Sequence, residues 1–349
     1  MAGPDALHVL PLTGIPEVTE GLDLAGTLVG AADRWGGVQD GDVVVVSSKL
    51  VSKALGLRHA APVDRLDVVR EHTVRVVAER VTPSGLTQVV ESVAGPVLAA
   101  AGVDASNTGA QDAVLVLPRD PDRAAADLHR AVRAHLVGDR LDDQGPRFGL
   151  LLTDTAGRPW REGQTDLALG ACGMVVLEDL RGAPDADGRT LSVTSRAVAD
   201  ELAAAADLVK GKASGVGAVL VRGLDALVLE GPGGGARPLV RTGPGDWFAL
   251  GHREAVRAAL GAPPGSTAAQ EVGLPGVVPE SVQQRAGRAT ALALLGHAGA
   301  RVTGTVADGL VVRAPDPVLA GRVAARLEVA LAGEDLRAEV DVVSGTGDA

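Results

Sequence analysis

The sequence predicts an α/β or α+β fold in two parts, a larger region over residues 1–250 and a small α+β module over residues 251–349. Three observations carry this reading. A chain of 349 residues is long enough for two domains that each bury a core. From residue 42 onward, apolar runs of strand length alternate with segments of helical spacing. Past Gly251 the pattern changes to a shorter set of helices and strands with apolar faces of its own.

In order, the run Asp42 to Ser48, with four consecutive valines, reads as a buried strand, and the three-to-four spacing from Val63 to Val81 predicts a helix. Ala113 to Leu117 reads as a strand, Pro121 to Leu136 as a helix, Phe148 to Asp154 as a strand and Met174 to Leu177 as another. The alanine-rich stretch Arg196 to Val209 is helical with Gly211 as its stop, and Gly217 to Arg222 follows as a strand. Gly231-Pro-Gly-Gly-Gly235 cannot hold regular structure and reads as a surface loop or a turn between strands. Beyond it come a helix near Glu254 to Leu260, a Pro/Gly-rich linker to Pro279 and a long helix through Leu295. Two short strands (Arg301 to Val306, Leu310 to Arg313), a helix (Pro317 to Leu331) and a strand (Arg337 to Val343) complete the module.

Composition excludes several classes of function. A net charge of -11 argues against wrapping nucleic acid, which needs clustered Lys and Arg, and with no Tyr, two Phe and three Trp there are few rings on which bases could stack. No apolar run approaches the roughly eighteen residues of a membrane span, and the N-terminus lacks a signal-peptide pattern, so a cytoplasmic protein without membrane contact is expected. The single cysteine, Cys172, permits no internal disulfide and reads as a small buried apolar residue. Seven scattered histidines form no metal pair or catalytic triad. The chain looks encoded by GC-rich DNA, yet four lysines persist in two close pairs, Lys49 with Lys53 and Lys210 with Lys212. A retained lysine suggests a place that needs a compact ammonium.

No Walker-type loop occurs and no Gly-x-Gly-x-x-Gly follows a strand, so a nucleotide would have to bind by other means. Four segments could carry chemistry. Val46 to Lys53 leaves the valine strand with hydroxyls and ammonium groups that can meet phosphate, or equally with serines that cap a helix. In Ala101 to Asn107, Asp104 could ligate Mg²⁺ or Mn²⁺, or close an Asx-turn. In Leu152 to Asp166, a strand delivers Asp154 and Thr155 to a cleft where they could hold metal. Arg158 and Arg161 could neutralise a carboxylate or phosphate there, unless Arg161 only pairs with Glu162 or Asp166. Lys210-Gly211-Lys212 ends a helix, where cations also meet the helix dipole.

In order along the chain, Leu10-Pro-Leu-Thr-Gly-Ile-Pro-Glu-Val18, Ser47-Ser-Lys-Leu-Val-Ser-Lys53, Gly102-Val-Asp-Ala-Ser-Asn107 and Thr153-Asp-Thr-Ala-Gly-Arg-Pro-Trp-Arg-Glu-Gly-Gln-Thr-Asp166 closely resemble the coenzyme F420-0:L-glutamate ligase family. Ala199 to Lys212 resembles it too, so the likeness covers roughly residues 8–250. It implies a mixed-sheet catalytic region and a GTP-dependent ligase. Such an enzyme adds L-glutamate to the carboxylate of F420-0 through an acyl phosphate, then further glutamates through γ-linked amides. By similarity, Ile15, Pro16, Glu17, Val18, Ser48, Lys53 and Asn107 would contact GTP, and Lys210, Gly211 and Lys212 would belong to a further nucleotide loop. Asp104, Asp154 and Thr155 would hold Mg²⁺ or Mn²⁺, with Asp154, Arg158 and Arg161 serving the reaction. The family also implies a homodimer and often K⁺. An acid that some relatives carry near Lys212 is missing here, so the resemblance does not carry a second metal role over to that position. The region after residue 250 is too short for the flavin domain that some members carry, so no FMN is expected and the module reads as accessory. The alternatives are a non-catalytic GTP- or deazaflavin-binding protein, or an acid–amine ligase acting on a different carboxylate.

Overall fold

Four valines in a row can be buried together only where both faces of a strand are covered. The computed structural model, which describes residues 6–60, 63–83, 85–105, 113–138, 145–192, 194–211, 214–242 and 246–345, covers both. Along the chain run β1 (His8–Pro11), α1 (Leu24–Ala32), β2 (Asp42–Ser47), α2 (Ser48–Ala54), β3 (Arg58–His59), α3 (Arg65–Glu71), β4 (Thr73–Thr82) and β5 (Gly85–Ser92). There follow β6 (Val97–Ala99), β7 (Val114–Leu115), α4 (Pro121–Val137), β8 (Phe148–Arg158), β9 (Arg161–Cys172), β10 (Glu178–Asp179), β11 (Ser195–Arg196), α5 (Val198–Lys210) and β12 (Ala218–Arg222). The chain ends with α6 (His252–Ala259), α7 (Thr267–Val272), α8 (Val282–Leu294), β13 (Arg301–Thr305), β14 (Gly309–Ala314), α9 (Pro317–Gly333) and β15 (Val340–Ser344). The result is a mixed α/β structure in two compact units, Met1–Thr73 with Ser92–Arg241 and Val74–Glu91 with Thr242–Ala349.

The first unit is built on a five-stranded sheet in the order β1-β12-β2-β8-β9. Only β2 and β8 run parallel; the other neighbours are antiparallel. Side-chain alternation divides the valines. Val44 and Val46 join Leu150, Leu152, Leu28 of α1 and Val132 of α4 on one face, while Val43 and Val45 join Leu151, Val219 and the Ala199, Leu202, Ala203 and Ala206 row of α5 on the other. Each such buried Val or Leu contributes roughly 1.5–3 kcal/mol. Helix α4 approaches β9 so closely that a Cβ on Gly170 would lie 2.2 Å from the Pro121 carbonyl oxygen, which leaves room only for glycine. Helix α5 ends at Gly211, whose φ of 59° falls in the left-handed range that glycine enters without strain.

The second unit pairs the β4–β5 hairpin with the C-terminal elements: Glu79 accepts from Gln88 at 3.0 Å and from the Gly265 amide at 3.0 Å, and Arg80 pairs with the buried Glu254. Its own sheet, β13-β14-β15, is antiparallel between β13 and β14 and parallel between β14 and β15. The core of this unit is closed by α8 and α9 through Leu292, Val323, Leu327 and Leu331. Among the described residues no helix is long and apolar enough to cross a membrane.

Four sequence expectations are corrected. The helix expected over Val63 to Val81 stops at Glu71, and Thr73–Thr82 is a strand. The β-branched run Thr73-Val-Arg-Val-Val77 favours extended backbone, and its apolar spacing satisfies both periods. No strand forms at Met174 to Leu177, where a single bridge links Met174 to Val228. Instead residues 161–172 form β9, and the strand expected to end at Asp154 continues to Arg158 as one arm of a long hairpin turning at Pro159 and Trp160, with Trp160 at φ 57°. The linker ahead of Pro279 contains the short α7.

Candidate active site

Because β2 and β8 are parallel and β1 and β12 run antiparallel in alternation, the segment after β1, the start of α2, the outer half of β8 and the segment before β12 all gather at one edge of the sheet. The carboxyl ends of parallel strands are where open α/β sheets bind ligands. A cleft of about 420 Å³ lies there, lined by Ile15 to Val18, Ser47, Lys49, Leu50, Lys53, Asp154, Thr155, Asp166, Asp207, Lys210, Gly211 and Gly215 to Gly217.

Helix α2 brings Lys49 and Lys53 to the cleft because residues four apart share a helix face. Lys53 is buried and pairs with Glu17 at 2.6 Å, and Lys49 pairs with Asp104 at 2.6 Å. The alternative in which serines simply cap this helix is not realised: Ser47 stands at the N-cap without a side-chain bond, and Ser48 donates to Asp154 Oδ1 at 3.1 Å. Ser48, Lys49, Asp104 and Asp154 also line a crevice of about 10 Å³, close to the space of one water molecule.

On β8 successive side chains face opposite sides of the sheet. Asp154 turns towards Ser48, whereas Thr153 and Thr155 turn towards α5. Directly across the ladder from Thr155 stands Asp166 of β9. Asp166 accepts from Thr155 Oγ1 and Thr153 Oγ1, each at 2.7 Å, and from the Lys210 ammonium, which also donates to Thr153 Oγ1 at 2.6 Å. Lys210 and Asp166 are almost wholly buried, so this is an ion pair within the protein.

The two acids are driven in opposite directions. Burial pushes the Asp154 carboxyl up to about 6, against hydrogen bonds from Ser48 and the Thr155 backbone, and the charges of Asp166 and Asp104 add to the rise. Burial would raise Asp166 as well, but the Lys210 charge and the bonds from Lys210, Thr155 and Thr153 outweigh it and hold that carboxyl below the usual range. A dissociated Asp154 at neutral pH is therefore short of positive charge. The donors around it are hard oxygens, the kind Mg²⁺ and Mn²⁺ prefer. Among the described residues no three His, Cys, Asp or Glu side chains gather closely enough to hold an ion alone, so hydroxyl, water and ligand oxygens would have to complete a shell.

Of the residues the sequence singles out, Ile15, Pro16, Glu17, Val18, Lys53, Asp154, Thr155, Lys210 and Gly211 line the cleft. Ser48 and Asp104 lie beside it in the crevice they share with Asp154. Asn107 and Lys212 lie outside the described residues. Arg158 and Arg161 are not brought to the cleft; they sit exposed near the hairpin turn, and Asp166 pairs with Lys210, not with Arg161. Sequence reasoning left Asp166, Thr153 and Asp207 out of the site and reached Lys49 only through its retention and its place in the Val46–Lys53 segment. For Asp166 the signal was the alternation Thr153-x-Thr155 with an acid eleven residues on, readable only if the segment is a hairpin. For Lys49 it was lysine retention itself, since all three lysines among the described residues line this cleft.

The chain matches the family model described as F420-0:Gamma-glutamyl ligase over residues 59–223. It is 35% identical over 271 residues to the coenzyme F420:L-glutamate ligase of Halobacterium salinarum, a match spanning 72% of this chain and 97% of that protein. It is 37% identical over 265 residues to the one from Methanopyrus kandleri, across 71% of this chain and all of the relative. With the enzyme of Haloarcula marismortui it shares 36% identity over 240 residues, 63% of this chain and 88% of that one. Near-complete coverage of the relatives leaves more than a quarter of this chain without a counterpart in them. The chain belongs to the F420-0:gamma-glutamyl ligase family.

Proposed function

We propose that this protein is a ligase of coenzyme F420 biosynthesis that uses GTP and a divalent cation to join L-glutamate to the carboxylate of F420-0. Further glutamates then follow through γ-linked amides. The observation that carries the reading is the pairing, in one cleft, of Asp154 and hydroxyl oxygens with the ammonium groups of Lys49, Lys53 and Lys210. That set suits a triphosphate, and among the described residues no histidine or cysteine lines the cleft to act as base or nucleophile.

A carboxylate is a poor electrophile. Its oxygen would attack the terminal phosphorus of GTP and GDP would leave; the glutamate amine would then attack the acyl carbon of the resulting acyl phosphate and expel phosphate. A bound Mg²⁺ or Mn²⁺ supplies charge neutralisation on the phosphate oxygens, with Asp154 and Thr155, and Asp104 from the adjoining crevice, as the residues that would hold it. The protein's part is positioning and charge, which suffices for phosphoryl transfer. Lys53 and the Ile15 to Val18 segment would hold the phosphates and the nucleoside. Lys210, tied to Thr153 and Asp166, would place a fixed positive charge beside them. Arg158 and Arg161 on the exposed hairpin would serve the carboxylate substrate from outside the cleft. We further propose a homodimer, stimulation by K⁺ as in many members of the family, and no flavin, which light scattering, replacement of K⁺ by Na⁺ and the visible spectrum of the purified protein test in turn.

The decisive experiment incubates the full chain with GTP, Mn²⁺, L-glutamate and F420-0. A mass gain of one glutamate residue with one phosphate released per amide supports the reading. GTP binding without phosphate release points to a non-catalytic binder, and phosphate release only with another acid points to a different substrate.

A further inference from the structure

The geometry points to Asp166 as a positioning residue that fixes the Thr155 hydroxyl as an acceptor-only oxygen facing the cleft. This rests on the metal-dependent reading given above. A threonine hydroxyl rotates freely and can present either a proton or a lone pair. A cation accepts only the lone pair. Thr155 stands opposite Asp166 in the β8–β9 ladder, and its Oγ1 proton goes to Asp166 Oδ1 at 2.7 Å. With that proton committed, what the Thr155 oxygen offers to a group in the cleft it lines is a lone pair and not a proton.

Asp166 itself has little freedom. Its other oxygen, Oδ2, takes the Thr153 hydroxyl at 2.7 Å and the Lys210 ammonium, so the carboxylate is held from three directions and almost wholly buried. Lys210 pairs with Asp166 and holds the carboxylate that orients Thr155, although the Asp166 charge still adds to the rise at Asp154. Groups that orient metal ligands in this way are typically worth about 10–100-fold in metal affinity. Asp166 touches no reacting atom in this scheme.

The balance of charge supplies the test. Asp166→Ala alone would leave Lys210 buried and unpaired and is expected to unfold the protein, so the probe is the charge-balanced pair Asp166→Ala with Lys210→Met. Mn²⁺ binding to the full-length protein without nucleotide is read by the electron paramagnetic resonance of free Mn²⁺, after thermal melting has shown each variant folded. Wild type is expected to bind Mn²⁺ at a site that Asp154→Asn abolishes, and the pair to bind it about 10–100-fold more weakly. Asp166→Asn with Lys210→Met, which keeps one acceptor oxygen, should fall between. Thr155→Val should weaken binding alone, and adding the pair to it should cause no further loss, because both act through one hydroxyl. Wild-type affinity in the pair, or an undiminished extra loss in the Thr155→Val background, would overturn the role of Asp166 while leaving the metal reading intact. Absence of any Mn²⁺ binding sensitive to Asp154→Asn would overturn both.

Discussion

Asp154→Asn should abolish ligation and yet make the metal-free protein more stable at neutral pH. The carboxyl is raised from an ordinary 3.8 to about 6, burial being the largest cause. A raised carboxyl binds its proton more tightly in the folded than in the unfolded state, so stability is greatest when it is protonated and falls as pH rises from about 4 to about 6. At about 1.4 kcal/mol for each tenfold change, the rise corresponds to an upper figure of about 3 kcal/mol. Asp154 is partly exposed to the cleft, and water there should reduce the effect to about 1–3 kcal/mol. Asparagine keeps the shape and an oxygen for Ser48 without the charge. In a unit of roughly 220 residues that difference raises the melting temperature by about 3–10 °C at pH 7.5. The assay is calorimetry of both proteins at pH 4 and pH 7.5 in chelator, where groups that titrate alike in the two cancel in the difference. Mn²⁺ should then reverse the order by stabilising wild type alone. A variant less stable than wild type at pH 7.5, or a difference that does not shrink at pH 4, would refute the reasoning.

Ser48→Ala removes a hydrogen bond that favours the ionised Asp154, so the pH midpoint of Mn²⁺ binding should move upward, seen in an affinity series between pH 5 and 8. Lys53→Met should raise the KM for GTP about 10–100-fold with less than about 1 kcal/mol lost in chemical denaturation, since its partner Glu17 is exposed and needs no replacement charge. Leu151→Ala, at a fully buried position against α5, should destabilise by about 2–5 kcal/mol in urea unfolding while leaving Mn²⁺ affinity unchanged. Arg158→Ala and Arg161→Ala should alter stability by less than about 0.5 kcal/mol, and steady-state kinetics should show a higher KM for F420-0 with that for GTP unchanged.

The sequence by itself determined the pieces that depend on local pattern. The valine run, the alanine-rich helix closed by Gly211 and the C-terminal helices and strands each obey a single period or a local stop signal, and most appear within a few residues of their expected places. Lysine retention and the ordered motifs marked the cleft before any coordinates, because charge type and motif order are properties of the chain alone. Only the tertiary structure decided that residues 161–172 return as a strand, since a polar half (161–166) runs into an unbroken apolar half (167–172) without alternation and the pairing partner lies across the turn. It alone decided that Ser48 bonds to Asp154 over 106 positions and that Lys210 reaches Asp166 over 44, and that Arg158 and Arg161 stand outside the cleft. Local periodicity is written in neighbouring residues; which distant carboxylate an ammonium or hydroxyl meets depends on how the sheet brings the ends of its strands to one edge.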